Sequence, residues 1–128
     1  MNIWFQEVDS EDLKEMFCGM KYNYVKCASL LYLSSGLCDK VTFSSNYTVA
    51  CARKEFDDKP DLIRCIISDD SGNIVGIVEY EIVRTLIEND FCVVSCLYIK
   101  DEYRDCNYGT FVLQRFREYY GGLAYFIV

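Results

Sequence analysis

Arg104, Asn107 and Gly109 fall within "YIKDEYRDCNYGT" (98–110), where an apolar stretch passes through a charged turn into the start of a helical pattern. Small residues, or residues that tolerate left-handed backbone, let the main chain come close to a ligand at such a junction. The first amides of a helix attract an anion, a phosphate above all. The chemistry open to this stretch is therefore anion binding by backbone. An ordinary tight turn before a helix draws on the same residue types, so the surrounding elements have to decide between the two.

The 128 residues fit one domain, 1–128, able to bury a core without metals or disulfides. At 52% hydrophobic and 16% aromatic, the chain is core-forming and not disordered. A net charge of −7 argues against binding nucleic acid directly, which needs Lys and Arg gathered on one face. It suits a basic partner or, more plainly, solubility. The eight cysteines contain no CxxC pair and histidine is absent, so no metal site is expected. Several lie in apolar runs such as "FCVVSCLYI", where reduced Cys acts as a small buried hydrophobe. That usage points to a reducing, cytoplasmic setting. The N-terminus lacks the basic and apolar regions of a signal peptide, and no run reaches membrane-spanning length.

Along the chain, "NIWFQEV" reads as a strand and "SEDLKEMFCGM" as a helix capped by Ser10. A second helix is expected over Tyr22 to Leu33, ended by "SSG" at 34–36, and a third over Ser45 to Phe56. After the loop "DDKPD" (57–61), "LIRCIIS" and "IVGIVEYEIVRTLI" form a β-hairpin around "DDSGN". Following a turn at "END" (88–90), "FCVVSCLYI" is apolar on both alternating faces, with Ser95 between them. Strict alternation would set Phe91, Val93, Leu97 and Ile99 on one face and Cys92, Val94, Cys96 and Tyr98 on the other, as in a central strand covered on both sides. From Gly109 the period becomes helical, with Val112, Leu113, Phe116, Tyr119 and Tyr120 on one face. Gly121 and Gly122 stop that helix, and "LAYFIV" follows as the second strand of a βαβ crossover.

This element order, with "LYIKDEYRDCNYGTFVLQRF" (97–116), resembles the GNAT acyltransferases, which use acetyl-CoA. Their motif, Arg/Gln-x-x-Gly-x-Gly/Ala, opens a helix after an apolar strand; here Arg104 takes the first place, Asn107 the first Gly and Gly109 the second. The resemblance implies an α/β (α+β) fold of three layers with a central mixed sheet, shortened after the last strand. It implies that acetyl-CoA or coenzyme A is bound with its pyrophosphate against the backbone N–H groups of Asp105, Cys106, Asn107, Tyr108, Gly109 and Thr110, with Arg104 near the anion. The pantetheine arm would pair with Leu97, Tyr98 and Ile99 as an added strand. Asn107 departs from the motif, yet Asn is the least costly substitute for Gly where φ is positive.

Two departures touch the chemistry. Where the family often carries a basic Glu, this chain has Val93, and the nearest carboxylates are Glu79 and Glu81. Their period-2 spacing puts them on one strand face, where repulsion and partial burial would raise one toward a useful base. A solvated face, or neutralisation by Arg84 or Lys100, would leave neither perturbed. In the family, a further helix and two strands usually wall the acceptor and often supply a Tyr acid, whereas here the last residue is Val128. Tyr119 and Tyr120 read as helix core instead.

The expected function is acetyl-CoA binding with acetyl transfer to an amine. The alternative is an inactive GNAT-fold protein, for example phage-encoded, acting through protein contacts. The uncharged, aromatic and β-branched "LAYFIV" is an unprotected strand edge, so a homodimer or another protein partner is expected there.

Overall fold

A computed structural model describes residues 2–35, 47–83, 91–119 and 122–125; side chains are described for the same residues except 27–35, 91 and 122–125. The elements run β1 (Trp4–Glu7), α1 (Glu11–Ser35), α2 (Val49–Asp58), β2 (Ile63–Ser68), β3 (Ile74–Val83), β4 (Phe91–Ile99), a 3₁₀ turn (Asp101–Tyr103), α3 (Tyr108–Tyr119) and β5 (Gly122–Tyr125). The five strands form one sheet in the order β1-β2-β3-β4-β5. All neighbours are antiparallel except β4 and β5, which the crossover through α3 makes parallel. The mixed sheet and its helical layers agree with the expected architecture.

Local chemistry accounts for the element ends. The Ser10 hydroxyl accepts from the Leu13 amide at 3.3 Å, and the Thr48 hydroxyl accepts from the Cys51 amide at 3.3 Å, so each caps a helix start. In the β2–β3 turn, Asp69 Oδ1 accepts from the amides of Ser71 and Asn73, both at 2.9 Å, and Gly72 takes φ +84°. The two helices expected before residue 34 are one: α1 runs unbroken through Gly19, because a lone helical glycine costs only about 1 kcal/mol against continuous packing on the sheet. The turn at 88–90, Arg84 and Tyr120, and the last three residues of "LAYFIV" lie outside the described residues.

The core is split by the sheet. On one face Ile3, Cys65, Ile67, Val75, Val78, Cys92 and Val94 pack against Tyr108, Val112 and Phe116 of α3. On the other, Ile66, Ile77, Cys96 and Tyr98 meet Phe17 and Cys18 of α1 and Ala52 of α2. Burial pushes the Cys65 and Cys92 thiols up to about 11 and Cys96 to about 12, so all three stay protonated and behave as small hydrophobes. Among the described residues no group of Cys, Asp or Glu could hold a metal ion, and no helix is long and apolar enough to cross a membrane. Tyr119, expected in the core of α3, is 65% exposed. Tyr108, Val112 and Phe116 are the buried residues of that helix.

The largest correction concerns β4. Cys92 and Val94 lie on the α3 face with Leu97 and Ile99, while Cys96 and Tyr98 lie on the α1/α2 face. Alternation therefore slips by one between 94 and 96. The β3 register shows why: Glu79 stands opposite Cys96 and Tyr80 opposite Val94, which leaves Ser95 as the extra residue of a β-bulge. The residues on either side of Ser95 are all apolar and give no sign of such a slip, since either face accepts their side chains.

Candidate functional site

The β4–α3 junction is built from backbone first. β4 ends at Ile99, one 3₁₀ turn follows, and the chain enters α3 through Asp105 and Asn107, both in the left-handed region at φ 66° and 65°. Asn107 thus takes the conformation for which Asn is the usual stand-in for glycine, and its carbonyl accepts the Phe111 amide at 3.1 Å to start the helix. Left-handed residues just ahead of a helix start curl successive amides into the concave arrangement that suits an anion, and the helix dipole adds partial positive charge there.

Ile99, Tyr103, Arg104, Asp105, Asn107 and Tyr108, with Gly109 and Thr110 beyond them, line a depression of ≈ 290 Å³ at this point. Of the residues singled out from the sequence, Cys106 is exposed and outside that lining, and Tyr98 buries its ring on the opposite side of the sheet. Leu97 packs on the α3 side, 3.9 Å from where a Gly109 Cβ would stand. For these two strand residues any role in binding is therefore carried by backbone. Tyr103 was not foreseen; it meets Tyr108 edge-on at 6.0 Å between ring centres, and its one sequence signal was an aromatic just before Arg104.

Arg104 is folded back on the strand end. Its Nε donates to the Ile99 carbonyl at 3.1 Å, its guanidinium pairs with Asp101 at 2.9 Å, and it lies 5.6 Å from the centre of the Tyr98 ring. Its positive charge sits at the rim but is shared with Asp101, so the anion-binding capacity of the junction rests chiefly on amides. Lys100 is likewise paired, with Glu102 at 3.1 Å.

The last residues of β4 adjoin this depression. Described β4–β5 pairing runs from Phe91–Gly122 to Val94–Tyr125, one residue short of the bulge. From Cys96 to Ile99, β4 is paired with β3, and the described β5 pairing does not extend to these residues. A strand end beyond its described pairing on one side suits an extended ligand laid alongside as an extra strand.

The proposed carboxylate pair is not what the strand period suggested. Glu79 is 6% exposed, while Glu81 is on the surface. Glu79 Oε1 accepts from Lys21 Nζ at 2.9 Å and from Ser95 Oγ at 3.0 Å, and Oε2 accepts from Arg64 Nε at 3.1 Å. Burial alone would push this carboxyl up; Lys21, by charge and hydrogen bond, and then Arg64 outweigh that and hold it below its ordinary value. Glu79 is therefore locked as a carboxylate and is no candidate for a raised base. Of the two cations expected near it, Lys100 pairs elsewhere and Arg84 lies outside the described residues. No sequence signal marked Lys21, Arg64 or Ser95, because each reaches Glu79 from a separate element.

Comparison with known proteins follows this geometry. The family model described as "Acetyltransferase (GNAT) family" matches residues 37–125, well over half of the chain. Comparison with curated proteins returns no match. Among solved structures, a possible acetyltransferase from Clostridium difficile 630 aligns with TM-score 0.68 at 12% identity, over 100% of this chain and 81% of that one. Glucosamine-6-phosphate N-acetyltransferase from Arabidopsis thaliana aligns with TM-score 0.53 at 11% identity, over 100% and 84%. An aminoglycoside acetyltransferase from an uncultured soil metagenomic sample aligns with TM-score 0.58 at 11% identity, over 100% and 81%. At such identities these likenesses speak for the fold alone. Fold and family model agree, and the chain belongs to the GNAT acetyltransferase family.

Proposed function

We propose that this protein binds acetyl-CoA across the β4–α3 junction and transfers the acetyl group to an amine. The observation that carries the reading is the pair of left-handed residues, Asp105 and Asn107, set against the first turn of α3 beside the end of β4 that lies beyond its described pairing with β5. The residues present fit such a cofactor. Amides from Asp105 to Thr110 would hold its pyrophosphate, and Leu97, Tyr98 and Ile99 would bond its pantetheine arm through their main chain. When bound, acetyl-CoA supplies an activated thioester. The chain's part is then positioning, worth several kcal/mol when reacting atoms are held in line, together with amide donors near the β4 bulge aimed at developing negative charge. Glu79 takes no proton in this scheme. Of the two carboxylates Glu81 is the exposed one, so any carboxylate proton acceptor is assigned to it. The net charge of −7 favours a cationic amine as acceptor.

Titration calorimetry with acetyl-CoA, followed by thiol release with a panel of polyamines and lysine peptides, tests this reading. Saturable binding and amine-dependent thiol release are the expected results. Binding without release for any amine would turn the assignment toward a non-catalytic scaffold, and absence of binding at millimolar ligand would overturn it.

We also propose that β5 provides a self-association edge, because β5 is paired on one side only among the described residues and "LAYFIV" carries no charge. Light scattering should give a dimer that Phe126→Lys dissociates. A monomer at micromolar concentration would reject it.

A further inference from the structure

We propose that Glu79 is a positioning residue that fixes, through Ser95, the bulge of β4 facing the thioester end of the site. This rests on the acetyl-CoA reading above and assigns a role that neither the family motif nor the strand pattern carries. Three elements deliver donors to one carboxylate: Lys21 from α1, Arg64 from β2 and Ser95 from β4 itself. Arg64 extends the connection further. Its Nη1 donates to the carbonyls of Lys59 at 2.6 Å, Phe56 at 3.2 Å and Leu62 at 3.4 Å, and its Nη2 donates to that of Glu55 at 3.3 Å, closing the C-terminal end of α2.

An ion pair that served packing alone has no reason to end on the one β4 residue without a β3 partner. Ser95 is that residue. Its hydroxyl lies 3.0 Å from the Glu79 carboxylate and 3.2 Å from the Glu79 carbonyl, so its single proton bridges side chain and main chain of the residue opposite the slip. Because Lys21 and Arg64 hold the carboxylate from two other sides, the acceptor for Ser95 cannot swing away. The slip is thereby pinned where described β5 pairing has just ended, and with it the direction of the amides that follow Ser95. Such a device acts on the acyl end of the ligand and leaves the pyrophosphate end, at Asp105 to Thr110, untouched.

The test compares acetyl-CoA with coenzyme A by calorimetry on the unmodified chain, Ser95→Ala and Ser95→Thr. The unmodified chain should prefer acetyl-CoA. Ser95→Ala should weaken acetyl-CoA by about three- to tenfold, the range of one hydrogen bond, with coenzyme A changed less than about twofold, and Ser95→Thr should restore the preference. A purely structural role would weaken both ligands alike; that result, or an unaltered preference in Ser95→Ala, would overturn the proposal. Should the unmodified chain bind neither ligand, the acetyl-CoA reading fails by itself, and amide hydrogen exchange at Cys96 and Leu97 decides the positioning role. Exchange about tenfold faster in Ser95→Ala supports a pinned bulge, and unchanged exchange rejects it.

Discussion

Gly109→Glu should reduce acetyl-CoA binding on the order of a hundredfold, about 2.7 kcal/mol, while the fold stays as stable as before. The two halves of this expectation have separate causes. Gly109 is the second residue of α3 and has no positive φ, and a Cβ built there meets only Leu97 Cδ2 at 3.9 Å, an ordinary contact. The backbone there therefore accepts a side chain's Cβ without a clash. A carboxylate in the first turn of a helix is itself favoured by about 0.3–1 kcal/mol, so folding gains slightly if it changes at all. The same charge stands where a pyrophosphate would use the helix start, and it both repels that anion and takes up the dipole that would attract it. Calorimetry measures the first half and the urea midpoint the second. Undiminished binding would move the cofactor site away from the β4–α3 junction, whereas joint loss of binding and stability would mean that the substitution damages the fold.

Arg64→Ala should cost roughly 3–5 kcal/mol of folding free energy, a large share of what a domain of this size possesses. Arg64 is 4% exposed, and its guanidinium serves two groups at once: the Glu79 carboxylate and the carbonyls at the end of α2. Truncation leaves Glu79 with Lys21 alone among its cations and uncovers carbonyls that water reaches poorly. Arg64→Lys should recover little, since an ammonium cannot reach the carboxylate and the helix end together. Urea unfolding checks both, and a loss below about 1 kcal/mol would show that the network contributes nothing net.

The same site predicts acid sensitivity. The Glu79 carboxyl is held below its ordinary value of 4.5 in the folded chain. A depressed folded value means that the unfolded chain takes up the proton first. The stabilisation is therefore complete above about pH 4.5 and drains away as pH falls through the folded value. In Glu79→Gln the urea midpoint should start lower at neutral pH and fall less steeply below that point. Parallel pH profiles for the two proteins would deny Glu79 this role.

Element order was legible in the residues because it rests on local chemistry. The strand and helix order, the Ser10 cap, the Asp69–Gly72 turn and the strand before Arg104 each rest on a few residues, and each is present in the folded chain. So does the left-handed Asn107, since the cost of positive φ belongs to that residue alone. The unbroken α1 was missed because a glycine followed by tyrosines weakens a helix locally, while burial against the sheet, which local propensity does not contain, carries it through. Two features of the site belonged wholly to tertiary structure. The slip at Ser95 is set by pairing with β3, and the apolar residues on either side of it fit either register. The state of Glu79 is set by Lys21, fifty-eight positions away, and Arg64, fifteen away. Spacing along β3 pairs Glu79 with Glu81 and suggests repulsion; the fold instead surrounds it with cations, because a charge buried beneath two helices persists only where other elements bring it partners.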